Sequence, residues 1–184
     1  MIKRSAIFLL LMLSAVISNA ADRILYMTES GTVYFRSDAP QEIIHATSKK
    51  LKGVIDPVKK TFAFRVSLQS FEGFNSPLQE EHFNEKYLET DRFPDAVFTG
   101  KIIEDVDLTK DGTYDIRAKG KLVIHGVESE RIIRSSVTIK NGNADVNSIF
   151  TVQLNDHNIK VPKIVHEKVA TEISIEIKAL MKKQ

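Results

Sequence analysis

The sequence contains no cysteine. A chain without cysteine has no disulfide bond, no cysteine-ligated metal centre and no thiol nucleophile, and it lacks the lipidated cysteine that tethers a bacterial lipoprotein. It also has little excess charge, with 26 basic and 24 acidic residues and a formal net charge of +2. Lys3 and Arg4 account for that excess. The rest of the chain is close to neutral, so it lacks an overall basic field that would hold nucleic acid or an anionic membrane surface, and we predict no nucleic-acid partner.

Long hydrophobic runs are absent as well, apart from one near the N-terminus. Two basic residues precede an apolar run from Ala6 to Val16, which is followed by Ser18-Asn19-Ala20. This arrangement is typical of a secretory signal peptide, and the run is shorter than the roughly 20 residues that span a bilayer core. We predict removal of residues 1–20, a single mature domain of residues 21–184 without a membrane span, and a periplasmic or secreted location. An uncleaved membrane anchor is the alternative.

From Ile24 onward the dominant hydrophobic period is two residues. Apolar and polar residues alternate in the segments 62–69, 116–125, 150–155 and 172–178. Alternation of this kind places one face of a strand on a core and the other in water, as in half-buried antiparallel strands. Further strand signals occur at Gly31–Arg36, His45–Ile55, Ala96–Glu104 and Arg131–Lys140.

Turn residues separate these segments. Residues 56–60, Lys110-Asp111-Gly112 and Asn141-Gly142-Asn143 fall between alternating runs. Asp-Gly and Asn-Gly supply the positive φ that tight β-turns need. Strands joined mostly by short turns form an antiparallel meander, which either splits into a sandwich or closes into a barrel and so removes its exposed edges. The predicted fold class is therefore all-β.

One segment breaks the strand pattern. Ser76 and Pro77 are typical of the N-cap and first position of a helix, and Gln79 would complete a capping box. We predict one short helix that runs to about Leu88. Its apolar side would carry Leu78, His82, Phe83 and Tyr87.

The sequence offers little catalytic chemistry. It has no glycine-rich phosphate loop, no metalloprotease helix and no serine-nucleophile elbow. His157 and His166, with the acidic residues beside them, could meet at a metal, although solvated loop histidines are the interpretation that we favour. His125 is expected to be a hydrogen-bonded or surface residue rather than a general base. We therefore predict no catalytic residue, no metal and no cofactor.

The apolar faces of the predicted strands are more informative. Large phenylalanines fall at inward positions beside the small residues Gly100, Ala118 and Gly120, which would leave room inside a barrel. Burying about ten methylenes of a ligand at ~0.8 kcal/mol each would supply roughly 8 kcal/mol. An ordinary packed core is the alternative. If a cavity exists, we expect its lining to include Phe35, Phe62, Phe64, Phe98, Ile116, Leu122, Phe150 and Val152.

Three stretches resemble one protein family, and they occur in that family's order. Gly31–Glu42 resembles its opening strand. Leu78–Gly100 resembles its helix-to-strand signature, with a histidine on the helix, an aromatic-Leu pair, an acidic residue, an aromatic-Pro pair and a phenylalanine in the strand. Gly120–Val127 resembles its Gly-x-Leu-x-Ile-x-Gly-Val strand. By these residues the chain is similar to YceI-like proteins.

The resemblance implies an eight-stranded antiparallel lipocalin-like barrel with one short helix insertion and an apolar channel. It also implies a binding or carrier protein for polyisoprenoid or another long-chain amphiphilic lipid, without catalysis. His82 and Tyr87, on the helix, are then the polar candidates for the cavity mouth or the head group. Many members carry an Arg-Asp pair near the helix histidine, where this chain has Gln79-Glu80-Glu81. The resemblance therefore does not indicate which head group is bound.

Two other functions remain open at this point. A small exported enzyme would use His125 or His82 as an acid or base on a lipid-like substrate, and replacement of that histidine by alanine would remove turnover while binding stays. An envelope stress or interaction module would purify without a ligand and with a partner protein. A homodimer is compatible with the sequence, which does not indicate its surface.

Overall fold

The computed structural model describes residues 24–184, so the predicted signal peptide, residues 1–20, lies outside the described residues. Eight strands follow one another along the chain and close into an antiparallel barrel, which confirms the predicted fold class. The last strand pairs with the first, so no sheet edge is left open. The strands are β1 Tyr26–Asp38, β2 Ile43–Asp56, β3 Thr61–Ser67, β4 Asp95–Ile102, β5 Gly112–Ile124, β6 Val127–Lys140, β7 Asn143–Gln153 and β8 Glu172–Lys183.

The predicted helix lies between β3 and β4. Helix α1, Pro77–Glu81, begins where the sequence places it, and its Gln79 amide donates to the Ser76 hydroxyl at 3.3 Å. The chain then continues as a π-helical segment, His82–Tyr87, rather than as α-helix to Leu88. Short 3₁₀ turns occur at Leu68–Ser70, Leu154–His157 and Lys163–Val165.

A matched pair of irregularities changes the phase of alternation in β1 and β2. In β1, Thr28 is buried, Glu29 and Ser30 are both exposed, and Gly31 is buried again. The pairing register between β1 and β2 shifts over the same residues, opposite the exposed pair Lys49–Lys50 of β2. An extra residue in a strand moves all later side chains to the other face. The inward side chains of β1 therefore have even residue numbers before the bulge and odd residue numbers after it.

Side chains fill one end of the barrel. Leu108, from the connection between β4 and β5, is completely buried, as is Met181 of β8. The Tyr26 hydroxyl donates to the Leu108 carbonyl at 3.0 Å, and burial raises the pKa of Tyr26. This packing closes the end that carries the β2–β3, β4–β5 and β6–β7 connections.

The opposite end carries the longer connections, residues 68–94 between β3 and β4 and residues 154–171 between β7 and β8. It also carries the tight β5–β6 turn, in which His125 and Gly126 both have positive φ, 53° and 70°. Two successive positive φ values match the twist of a hairpin. This end of the barrel holds the candidate site.

Candidate functional site

The barrel encloses a cavity of about 540 Å³, within the usual range for small-molecule sites. Side chains from all eight strands line it, and most of them are apolar. The lining also includes Leu78 of α1 and Lys168 of the β7–β8 connection, which are both exposed. The cavity therefore reaches the surface between these two segments, which we call the mouth.

The structure places every residue of the predicted lining around this cavity. These residues are Phe35, Phe62, Phe64, Phe98, Ile116, Leu122, Phe150 and Val152. Phe64, Phe98 and Phe150 keep part of their surface exposed, whereas the other five are buried. Alternation was sufficient to find them because β3, β4, β5 and β7 run without a bulge, and because Phe35 lies in the part of β1 that follows its bulge. Their contact with a lipid stays a prediction.

The role that the sequence suggests for two glycines needs correction. Gly100 and Gly120 face each other across β4 and β5. A Cβ atom on Gly100 would lie 2.1 Å from the Lys119 carbonyl oxygen, and one on Gly120 would lie 2.1 Å from the Thr99 carbonyl oxygen. Such contacts are far too short, so the close approach of the two backbones requires glycine at both positions. Leaving room for a ligand is not needed to explain them.

Four phenylalanines form a cluster at the mouth, and sequence reasoning missed two of them. Phe35 of β1 stacks on Phe83, with ring centroids 5.3 Å apart and planes 5° apart. Phe71 and Phe74 contact both rings at centroid distances between 5.2 and 5.9 Å. Phe71 and Phe74 lie in the irregular stretch before α1, where no periodic pattern marks an inward side chain. The cluster fixes the β3–β4 connection against the barrel wall.

His82 and Tyr87 both line the cavity. The His82 Nε2 atom lies 2.9 Å from the Lys86 Nζ atom. Because an ammonium group can only donate, the imidazole accepts at Nε2. Burial raises the pKa of Tyr87. The predicted pair is thus brought to one cavity, and its contact with a head group stays a prediction.

Helix α1 is tied to the connection between β1 and β2 at this end. The Gln79 side-chain amide donates to the Glu42 carboxylate at 2.5 Å, and both side chains line the cavity. The Asn75 amide donates to the Ile43 carbonyl at 2.8 Å. The mouth therefore presents a carboxylate and an amide beside the phenylalanine cluster.

The late histidines do not form a metal site. His166 is exposed, as expected, and its Nε2 lies 2.9 Å from the Val161 carbonyl oxygen. His157 is completely buried, so its interpretation as a solvated loop residue was wrong. Burial lowers its pKa, its Nδ1 lies 3.1 Å from the Val127 carbonyl oxygen, and its Nε2 has no partner among residues 24–184. Within that range no three potential ligands come together to hold a metal ion.

His125 is held in a hydrogen-bond network, as one of the two sequence interpretations expected. Its Nε2 lies 2.7 Å from the Glu89 carboxylate and its Nδ1 lies 3.1 Å from the His157 carbonyl oxygen. Arg92 also donates to Glu89, and the two bonds lower the pKa of that carboxyl. Both ring nitrogens are occupied, and His125 is not part of the cavity lining. The geometry gives it a role in joining three connections rather than in contacting a ligand.

Known protein families include one whose domain matches most of this chain. The family model of the YceI-like domain matches residues 28–181. The chain belongs to the YceI-like family. Its membership confirms the resemblance of the three sequence stretches. No curated protein matches the chain at a significant level.

Solved structures with this fold come from several bacteria. A polyisoprenoid binding domain from Saccharophagus degradans, implicated in plant cell wall breakdown, has a TM-score of 0.71 at 13% identity, over 87% of this chain and 98% of that domain. Burkholderia cenocepacia BcnA has a TM-score of 0.64 at 17% identity, over 82% and 95% of the two chains. The Campylobacter jejuni YceI protein has a TM-score of 0.60 at 14% identity, over 74% and 83%. At these identities the similarity shows the fold alone.

Proposed function

We propose that this YceI-like protein binds and carries a long-chain isoprenoid or another amphiphilic lipid in its barrel cavity. The observation that carries the proposal is the cavity of about 540 Å³, lined by apolar side chains from all eight strands and connected to the surface at the mouth. The free energy falls when apolar surface leaves water, so a hydrocarbon chain is the ligand that such a lining favours. The Saccharophagus degradans domain, named for polyisoprenoid binding, supports this ligand class.

In the proposed complex the lipid tail points toward the closed end of the barrel and the head group stays at the mouth. The tail would contact Ile116 and Phe150, which line the cavity on β5 and β7. The head group would lie near His82, Tyr87 and Glu42, three of the polar residues that line the mouth. A polar group is costly to bury without hydrogen bonds, whereas the mouth offers it both partners and solvent.

We also propose that the protein does not catalyse a reaction. His125 has both nitrogens engaged outside the cavity, and His82 accepts from Lys86. A general base needs a free nitrogen within hydrogen-bond reach of its substrate. We also propose a periplasmic or secreted location, for which the N-terminal segment described above is the support. No helix of residues 24–184 is long and apolar enough to cross a bilayer.

The experiment uses two neighbouring residues that face opposite sides of β7. Phe150 lines the cavity, and Ile149 is 71% exposed on the outer wall. Phe150→Arg would place a charge in the lipid path, and Ile149→Arg would place the same charge in water. The secreted protein is purified without detergent, and native mass spectrometry followed by lipid extraction measures its guest.

We expect about one lipid per protein in the wild type and in Ile149→Arg, and none in Phe150→Arg. Far-UV circular dichroism of both variants shows whether the barrel is intact. An empty wild-type protein that also takes up no isoprenoid or fatty amphiphile when offered one would contradict the proposal. A protein partner in place of a lipid would instead favour an interaction module.

A further inference from the structure

The β7–β8 connection presents an isoleucine to solvent at the cavity mouth. Ile164 is 91% exposed, more than any other large hydrophobic residue that the structure describes. A single exposed apolar side chain is common on protein surfaces and by itself indicates nothing. Its position distinguishes Ile164, because the connection that carries it borders the cavity mouth.

The turn that carries Ile164 is hydrogen-bonded. Lys163–Val165 form a 3₁₀ turn in which the Val165 amide donates to the Pro162 carbonyl at 3.0 Å. The Lys168 amide donates to the Val165 carbonyl at 2.9 Å. At the base of the same segment, the Gln41 amide donates to the Glu167 carbonyl at 2.8 Å. The backbone therefore holds Ile164 outward, away from the core.

Basic residues lie on both sides of this isoleucine along the chain. Lys160, Lys163 and Lys168 are exposed, and Glu167 is the one acidic residue between them. The other side of the mouth has an acidic excess, with the exposed residues Glu80, Glu81 and Glu85 and one exposed basic residue, Lys86, on and after α1. A nearly neutral protein thus separates its charge across the mouth, and the basic side is the one with the protruding apolar residue.

The same segment borders the cavity. Val165, Lys168 and Val169 belong to the cavity lining, so Ile164 stands directly beside the opening. An exposed apolar side chain with lysines beside it favours an anionic membrane surface, because the apolar side chain enters the head-group boundary while each ammonium group gains about 1 kcal/mol near the phosphates.

We propose that residues 160–168 dock the protein on an anionic lipid bilayer, with Ile164 inserted and the lysines at the phosphate groups. Docking in this way would place the mouth against the bilayer surface. That the mouth then receives a lipid from the membrane rests on the proposed function. The docking itself rests only on the geometry and charge of the β7–β8 connection.

Flotation with phosphatidylcholine vesicles, with and without phosphatidylglycerol, tests the docking. We expect the secreted wild-type protein to float only with the anionic vesicles and less at high salt, because salt screens exposed charges. Ile164→Asp should weaken binding about tenfold or more, and Lys163→Ala about fivefold. The matched control is Val58→Asp, because Val58 is 70% exposed at the closed end of the barrel. It should bind like the wild type.

Equal binding of wild type and Ile164→Asp, an equal loss in Val58→Asp, or equal binding to neutral vesicles would overturn the docking proposal. Lipid occupancy by native mass spectrometry separates this failure from that of the proposed function. Ile164→Asp should take up a lipid offered in solution as well as the wild type does, while its uptake from vesicles falls about tenfold. A protein that floats but never holds a lipid would sustain docking and contradict the carrier. A protein that holds a lipid but does not float would sustain the carrier function and contradict docking.

Discussion

Replacing Gly120 with alanine tests whether the two facing glycines serve the backbone or the ligand. The added Cβ would lie 2.1 Å from the Thr99 carbonyl oxygen, where ordinary contact begins at 3.4 Å. Strands β4 and β5 would have to separate by roughly 1 Å, which distorts the hydrogen bonds between them. Overpacking against movable side chains costs about 1–3 kcal/mol. Because the neighbour of Gly120 is backbone and cannot rotate away, we expect Gly120→Ala to lower the free energy of unfolding by about 3 kcal/mol, the upper end of that range.

The matched control is Gly53→Ala. A Cβ there would also be too close to its neighbour, at 2.3 Å, but that neighbour is the Phe64 ring, a side chain that can rotate. We expect a cost of about 1 kcal/mol, in the lower part of the overpacking range. Neither glycine has a positive φ, so the contrast isolates the contact partner.

Urea denaturation of both variants measures these costs. The chain has no tryptophan, so far-UV circular dichroism is the signal. Equal costs in the two variants would refute the backbone argument. A Gly120→Ala protein as stable as the wild type, with lowered lipid uptake, would restore the interpretation that Gly120 leaves room for a ligand.

Three further predictions concern residues outside this glycine pair. Burial lowers the pKa of His157 below its ordinary 6.5, so below about pH 6.5 the unfolded chain binds more protons than the folded protein. The free energy of unfolding should therefore fall as the pH drops below about 6.5. Urea titrations at several pH values should show a smaller pH dependence for His157→Asn. Tyr26→Phe leaves the buried Leu108 carbonyl without its donor and should cost about 1–2 kcal/mol in chemical denaturation, whereas an unchanged midpoint would contradict the bond's role. Phe83→Ala removes the stack on Phe35 and should cost about 2 kcal/mol, because Phe83 is only half-buried, whereas a fully buried phenylalanine costs about 3–5 kcal/mol; a calorimetric loss within that larger range would contradict the expectation.

The all-β fold could be predicted because its strands repeat one simple pattern, whereas the choice of a closed barrel over a sandwich came from the family resemblance. In β3, β5 and β7 alternation runs without interruption, so Phe62, Ile116 and Phe150 could be assigned to the inner face. In β1 the bulge at Glu29-Ser30 changes the phase of the pattern. Only the pairing of β1 with β2 reveals that shift, so no count along the sequence could follow it.

The site was harder to predict where its residues lie outside regular structure. Phe71, Phe74 and Ile164 belong to irregular connections, in which no periodicity assigns a side chain to the inside or the outside. His157 lies in a 3₁₀ turn that folds back onto the β5–β6 turn. Its burial depends on long-range packing and not on its neighbours in sequence. The sequence signals for His82 and Tyr87 came from the helix start, which local capping residues determine.

Whether the barrel holds a lipid is the central question for this protein. Native mass spectrometry of the protein purified without detergent, with Phe150→Arg and Ile149→Arg alongside, measures this in a single comparison. We predict one long-chain amphiphile per protein in the wild type and in Ile149→Arg, and an empty, folded Phe150→Arg. A wild type that is empty and stays empty with offered lipids, or a Phe150→Arg protein that keeps its guest, would contradict the account.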